Sequence, residues 1–207
     1  MGDMVHAGFA TDLAKTIGHW CLNGLGNIKI HSRHGTLLPE QRQELAKLAV
    51  EEGAEFVVFI DDDMRFPMDL LQRLVGHDEQ FVAANCSKRR RPIGPTAISG
   101  DTFVQPSRDK TGLERVDAVG FGVCAIRADV FSAIEYPWFA LPWLRQQQRF
   151  QGEDLFFMAR LHAADIPIYI DHDLSWDVRH CGVYEYGMED VLAEKELALA
   201  GAWEGKG

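Results

Sequence analysis

The sequence predicts an α/β domain with a mostly parallel central sheet flanked by helices. Three observations carry that expectation. Apolar segments of strand length alternate with amphipathic segments of helix length through the first 84 residues. The strongest apolar segment, Glu55-Phe56-Val57-Val58-Phe59-Ile60, is β-branched and aromatic, as a strand buried on both faces should be. It runs directly into three aspartates, Asp61-Asp62-Asp63, and ligands of open α/β sheets bind in the crevice at strand carboxyl ends.

The elements follow in order. Phe9, Leu13, Ile17 and Cys21 recur every four residues and predict a helix over 8–22. Residues 27–31 form a short candidate strand, and the first strand of the sheet is otherwise short or missing. Pro39 suits a first helical turn, Leu45, Leu48 and Ala49 make its buried stripe, and Gly53 stops it. The central strand and its aspartates come next. Pro67 opens a helix carrying Leu70, Leu71 and Leu74, and Gly76 ends it. Phe81-Val82-Ala83-Ala84 is another short strand. Strand, helix, strand, helix, strand implies parallel neighbours joined by right-handed crossovers.

Beyond residue 84 the pattern changes. Residues 85–112 are rich in Arg, Pro, Ser and Gly and read as a long loop with short β-pieces. Segments 113–118 and 122–126 read as two strands separated by Gly120-Phe121-Gly122. Residues 136–151 form an aromatic, proline-containing loop. Gly152-Glu153-Asp154 opens a helix with Leu155, Met158, Ala159 and Leu161 on its apolar face, and the acidic pair suits its positive end. A last strand covers 167–170, and an acidic helix covers 188–203.

Composition bounds the function. The 207 residues suffice for one domain with a sizeable core. A net charge of -10 gives no reason to expect a polyanionic partner, with Lys88-Arg89-Arg90-Arg91 a local exception. Four cysteines, Cys21, Cys86, Cys124 and Cys181, lie far apart without a CxxC pair, which fits reduced thiols in a cytoplasmic protein. No apolar run approaches the roughly 20 residues of a membrane helix.

Several constellations can carry chemistry. Three adjacent carboxylates repel one another and want water or a cation; a hard divalent ion with a diphosphate satisfies that demand. The bland alternative is a solvated acidic turn. In an extended segment Asp61 and Asp63 point to one side and can share an ion, while Asp62 points elsewhere, as a structural residue or a nucleotide contact. Glu153 and Asp154 are either a dipole-favoured pair or a carboxylate base for an acceptor hydroxyl. His180 follows the last strand, and its imidazole can join two carboxylates on manganese. His31, His34, His172 and Asp173 are weaker candidates. The basic run is either a solvated loop or a holder of phosphates or an anionic acceptor. The aromatic residues of 136–143 either pack or form a platform for a sugar or base.

The order of these motifs resembles the GT-A-fold glycosyltransferases, close to the family 2 type of bacteria and phages. Arg42, within Gln41-Arg42-Gln43-Glu44-Leu45-Ala46, is similar to the family's donor-facing Arg-Asn helix start. Phe59-Ile60-Asp61-Asp62-Asp63-Met64 resembles the DxD strand end. The segment from Val116 to Arg127 resembles the glycine-bearing hairpin on the acceptor side. Gly152-Glu153-Asp154-Leu155, then Asp171, then His180-Cys181-Gly182, resembles the ED helix and terminal metal histidine. The resemblance runs over about residues 8–187.

That resemblance implies a single, Rossmann-like nucleotide-diphospho-sugar transferase domain over 1–207. Residues 1–84 would be the nucleotide-sugar half, 85–187 the acceptor and catalytic half, and 188–207 a C-terminal helix and tail. The implied reaction moves a sugar from a UDP- or GDP-sugar to an acceptor hydroxyl with Mn2+ or Mg2+. Arg42, Asp61, Asp62 and Asp63 would hold the donor, and Asp61, Asp63 and His180 the metal. Asp154, with Glu153, would be the catalytic base. Lys88, Arg89, Gly122 and Trp138 would face the acceptor, whether glycan, lipid, protein, small molecule or modified nucleobase in phage DNA. One departure stands out: Met1-Gly2-Asp3-Met4-Val5-His6-Ala7-Gly8 supplies only the loop part of the family's base-binding first strand. The rival functions are a metal-dependent phosphohydrolase or nucleotidyltransferase, and a non-catalytic nucleotide-sugar-binding module.

Overall fold

A computed structural model describes residues 5–89, 92–182 and 187–199. Arg90 and Arg91 of the basic run, residues 1–4 and the end of the acidic C-terminal segment lie outside the described residues. In chain order the elements are α1 (Ala7–Leu22), α2 (Leu38–Glu51), β1 (Phe56–Ile60), β2 (Met64–Arg65), α3 (Leu70–Gly76), β3 (Phe81–Ala84), β4 (Ile98–Ser99), β5 (Thr102–Phe103) and β6 (Leu113–Val116). Then come β7 (Val123–Arg127), α4 (Val130–Ala133), β8 (Trp143–Leu144), β9 (Arg149–Phe150), α5 (Glu153–Ala163), β10 (Ile168–Asp171), α6 (His172–Asp177), β11 (Arg179–His180) and α7 (Met188–Leu199).

The main sheet corrects the expected topology. Its five strands run in the order β1-β7-β3-β10-β6, and only β3 and β10 pair in parallel. The other three pairings, β1 with β7, β7 with β3 and β10 with β6, are antiparallel. The sheet is therefore mixed and mostly antiparallel, not mostly parallel. The crossover from β1 through α3 to β3 exists, but it leaves a gap that β7 later fills in the opposite direction. A strand apolar on both faces suits either neighbour direction, so local pattern carries no signal for this choice.

Two further expectations change. Residues 27–31 are irregular, and Lys29 and His31 are instead drawn to Glu52 at 3.0 and 3.1 Å. Among the described residues β1 is consequently an edge strand rather than a central one. Segments 113–118 and 122–126 do not form a hairpin: β6 pairs with β10 and β7 sits between β1 and β3. The link Gly120-Phe121-Gly122 crosses the sheet end in close quarters. An added Cβ at Gly120 would lie 3.2 Å from Thr96, and one at Gly122 would lie 3.3 Å from Cys86 Sγ.

Alternation along the strands divides the core into two layers. Val57, Phe59, Phe81, Ala83, Cys124, Ile126, Ile168 and Ile170 face one layer, covered by α2, α4 and α5. Val82, Ala84, Val123 and Ala125 face the other, covered by α1, α3 and α6. The first layer is aromatic: Phe139 stacks on Phe157 at 4.9 Å, and Phe121 meets Phe139 and Phe157 edge-on at 5.5 and 5.2 Å. The carboxyl ends of β1, β3 and β10 and the amino ends of β7 and β6 share one sheet margin. No described helix is long and apolar enough to cross a membrane.

Candidate functional site

The aspartates sit where β1 ends at that margin. They form a turn, with Met64 N donating to Asp61 O at 3.1 Å, rather than the extended segment expected. Asp61 N donates to Gly122 O at 2.9 Å, which ties the turn to the glycine link. After the turn, β2 pairs antiparallel with β11 and sets His180 opposite Met64. Cys181 N closes the register by donating to Asp63 O at 2.7 Å. This two-stranded ribbon brings His180 to Asp63 across most of the chain.

Asp63 has two differently dressed oxygens. Arg89 Nη1 lies 2.8 Å from Oδ2. Oδ1 is buried and faces His180 Nε2 at 3.3 Å. His180 Nδ1 contacts the Ser87 carbonyl at 2.8 Å, so in the neutral ring Nδ1 donates and Nε2 presents its lone pair toward Asp63. Burial works to raise the Asp63 carboxyl, but His180 and then Arg89 outweigh it and hold it below its ordinary value.

Asp61 turns the other way. Its Oδ1 accepts from Arg42 Nη2 at 2.9 Å, while Arg42 Nη1 donates to Glu153 Oε1. Arg42 is only 4% exposed and lies over the Phe121 ring, 5.0 Å from its centre. Burial pushes the Asp61 carboxyl above its ordinary range; Arg42 opposes that shift and Asp63 adds to it. Asp62 is exposed at the tip of the turn.

The remaining candidates are scattered. Asp154 lies at the start of α5, and its Oδ1 accepts from Leu155 N at 2.7 Å. Gly152 makes room for it, since a Cβ there would sit 2.5 Å from that oxygen. Lys88 Nζ sits over the Phe103 ring at 3.4 Å. Trp138 packs on Phe131 at 4.8 Å, with its backbone N bonded to Gln43 Oε1 at 2.9 Å. Of the four acceptor candidates, Arg89 and Gly122 touch the aspartates, whereas Lys88 and Trp138 are engaged with neighbouring rings. His172 pairs with Glu114 at 2.6 Å, and Asp171 caps α6 through Leu174 N at 2.8 Å.

Asp61, Asp63 and His180 do not gather as three ligands. Among the described residues no group of three or more His, Cys, Asp or Glu side chains comes together to hold a metal. Of these three, Asp63 and His180, 3.3 Å apart, are spaced to share a cation: adjacent ligands about 2.1 Å from one ion are roughly 3 Å apart. The Cys86 thiol behind Gly122 is no nucleophile, since burial pushes it up to about 12.

Two residues that carry the site escaped the sequence reading. Asn85, 2% exposed, accepts from Thr96 N and Ala97 N at 3.0 and 2.9 Å and donates to Val104 O at 3.0 Å. It thereby shapes the loop that presents Ser87 and Arg89. Ser87 itself contributes only its carbonyl. An Asn directly after an apolar strand is the one signal that marked this position.

No protein-family model matches the chain, and no curated protein sequence matches it. Among solved structures it is similar to the one titled "Crystal Structure of A197 from STIV". Identity is 16%, the TM-score is 0.53, and the match covers 81% of this chain and 78% of that one. This remote likeness supports a GT-A-like fold; it does not reach the family 2 type.

Proposed function

We propose that this chain binds a nucleoside-diphosphate sugar through a divalent cation at the β1 margin, and that glycosyl transfer to a hydroxyl is the reaction of that site. One observation carries the reading: Asp63 Oδ1 is buried and lies 3.3 Å from His180 Nε2, while His180 Nδ1 is turned to the Ser87 carbonyl at 2.8 Å. A carboxylate oxygen and an imidazole nitrogen so placed are satisfied by a proton shared as an ion pair or by a cation held between them.

In this reading Asp63 and His180 would hold Mn2+ or Mg2+, which when bound would supply positive charge for the diphosphate leaving group. Arg42 fixes Asp61 and Glu153 in place, so the donor meets a preorganised carboxylate. Asp154, at the positive end of α5, takes the acceptor proton in an inverting reaction; in a retaining one it holds the acceptor hydroxyl. The donor is a UDP- or GDP-sugar.

A second reading is binding without turnover, and specific observations favour it. Glu153 is bound up with Arg42, and no three-ligand group forms among the described residues. Donor binding is thus better supported than transfer. Phosphohydrolase or nucleotidyl-transfer chemistry on the same carboxylates is a separate alternative, distinguished by its released product.

The deciding experiment is thermal unfolding with a panel of nucleotide sugars, in Mn2+ and in EDTA. A donor at a hundred times its Kd should stabilise by about 2.7 kcal/mol, roughly 5–10 °C for a chain of this size, with Mn2+ only. Asp63→Ala should lose that shift. Shifts indifferent to metal would sink the cation site. With acceptor present, release of nucleoside diphosphate identifies transfer, release of phosphate or pyrophosphate identifies the phosphate chemistries, and binding without release identifies the module.

A further inference from the structure

Arg89 supports a further step that rests on the nucleotide-sugar reading. Its Nη1 sits 2.8 Å from Asp63 Oδ2 and donates to the Cys181 carbonyl at 3.3 Å. The side chain is 47% exposed, so protein holds it from one side while the other faces solvent. Its partner oxygen belongs to the same carboxylate whose Oδ1 faces His180. One end of Asp63 is therefore paired with a guanidinium while the other faces an imidazole.

We propose that Arg89 is a diphosphate-binding residue stored on Asp63 as a built-in counterion. With no ligand present, Arg89 neutralises the carboxylate that burial would otherwise leave exposed to the Asp61 charge. When a divalent cation joins Asp63 and His180, Arg89 faces a like charge across one carboxylate and its hold on Oδ2 weakens. A guanidinium fork matches phosphate oxygens as well as it matches a carboxylate. Arg89 then turns to the diphosphate of the donor. Competition between Arg89 and the cation in the free protein becomes cooperation once the nucleotide is bound.

The change of sign is the test. Mn2+ binding is measured by electron paramagnetic resonance in wild type and Arg89→Gln, alone and with UDP or GDP. Without nucleotide, Arg89→Gln should bind Mn2+ about two- to fivefold more tightly, the scale of an exposed ion pair. With Mn2+ saturating, it should bind UDP or GDP about tenfold more weakly, the scale of a lost charge-assisted hydrogen bond. Arg89→Lys should leave Mn2+ binding near wild type and recover part of the nucleotide affinity. Equal affinities in wild type and Arg89→Gln would overturn the proposal. So would weakening of both ligands, which would make Arg89 a prop for its loop. A wild type that binds neither Mn2+ nor nucleotide defeats the nucleotide-sugar reading itself, and this inference falls with it. Metal-free unfolding temperatures show whether Arg89→Gln folds as the wild type does.

Discussion

Arg42 is the residue on which the site's two carboxylate-bearing segments meet. A guanidinium buried to 4% exposure sits between Asp61 after β1 and Glu153 at the head of α5, with an aromatic face beneath it. A planar fork can serve both partners at once, which a lysine cannot. Losing one partner of a buried ion pair costs about 3–5 kcal/mol; Arg42→Met should fall toward the lower end, because Asp61 keeps 36% side-chain exposure. Arg42→Lys should recover less than half of that loss. Urea unfolding reads both, and a wild-type midpoint in Arg42→Met would show that the bridge contributes nothing. The sequence marked Arg42 as facing the donor. Its place between two acidic partners depends on α2 and α5 packing over one sheet face, and no local pattern encodes that.

At the scale of elements, the loop from Asn85 to Thr96 presents Ser87 and Arg89 to the ribbon formed by β2 and β11. Its shape comes from Asn85 and from two backbone contacts, Lys88 N to Gly94 O at 2.8 Å and Thr96 N to Cys86 O at 3.0 Å. Asn85→Ala would leave the Ala97 N–H and the Val104 carbonyl without their buried partner. We expect a loss of at least about 2 kcal/mol, since each buried group left unpaired costs about 1–3 kcal/mol. Amide exchange of residues 86–97 should quicken, and the Mn2+-dependent thermal shift should shrink. Unchanged exchange in that loop would separate Asn85 from the site. The helices were legible here because their apolar stripes and stops are local signals: Pro39 does open α2, and Gly53 follows its end in a left-handed conformation, φ 72°. The loop was legible only as a loop, because Asn85 works through contacts made 11 to 19 residues away.

For the whole molecule, what the sequence conceals is direction. Every strand of the main sheet was expected close to its observed bounds, yet strand order and sense depend on which gap β7 fills, and that is decided by packing of both layers together. The site was legible to the same degree: Asp61, Asp63 and His180 were marked, and their division between Arg42 on one side and Arg89 on the other was not. That division also sets the response to acid. Burial opposes ionisation of Asp12, but Arg65 Nε at 2.6 Å and the Phe66 amide hold its carboxyl below the ordinary 3.8. Glu114 is held below 4.5 by Lys110 and His172 against its own burial. A lowered carboxyl contributes stability above its unfolded value and loses it as pH falls through its folded value. Asp61 has the opposite sign, because a raised carboxyl gains relative stability as pH falls through its folded value toward the unfolded one. Unfolding free energy should therefore fall between about pH 5 and pH 3. Asp12→Asn should begin less stable at pH 7 and lose less over that interval. Asp61→Asn should lose more than wild type, by the smaller margin of a part-exposed group. Urea midpoints at half-unit pH steps read all three curves, and an Asp12→Asn curve parallel to wild type would remove Asp12 and Arg65 from the acid response.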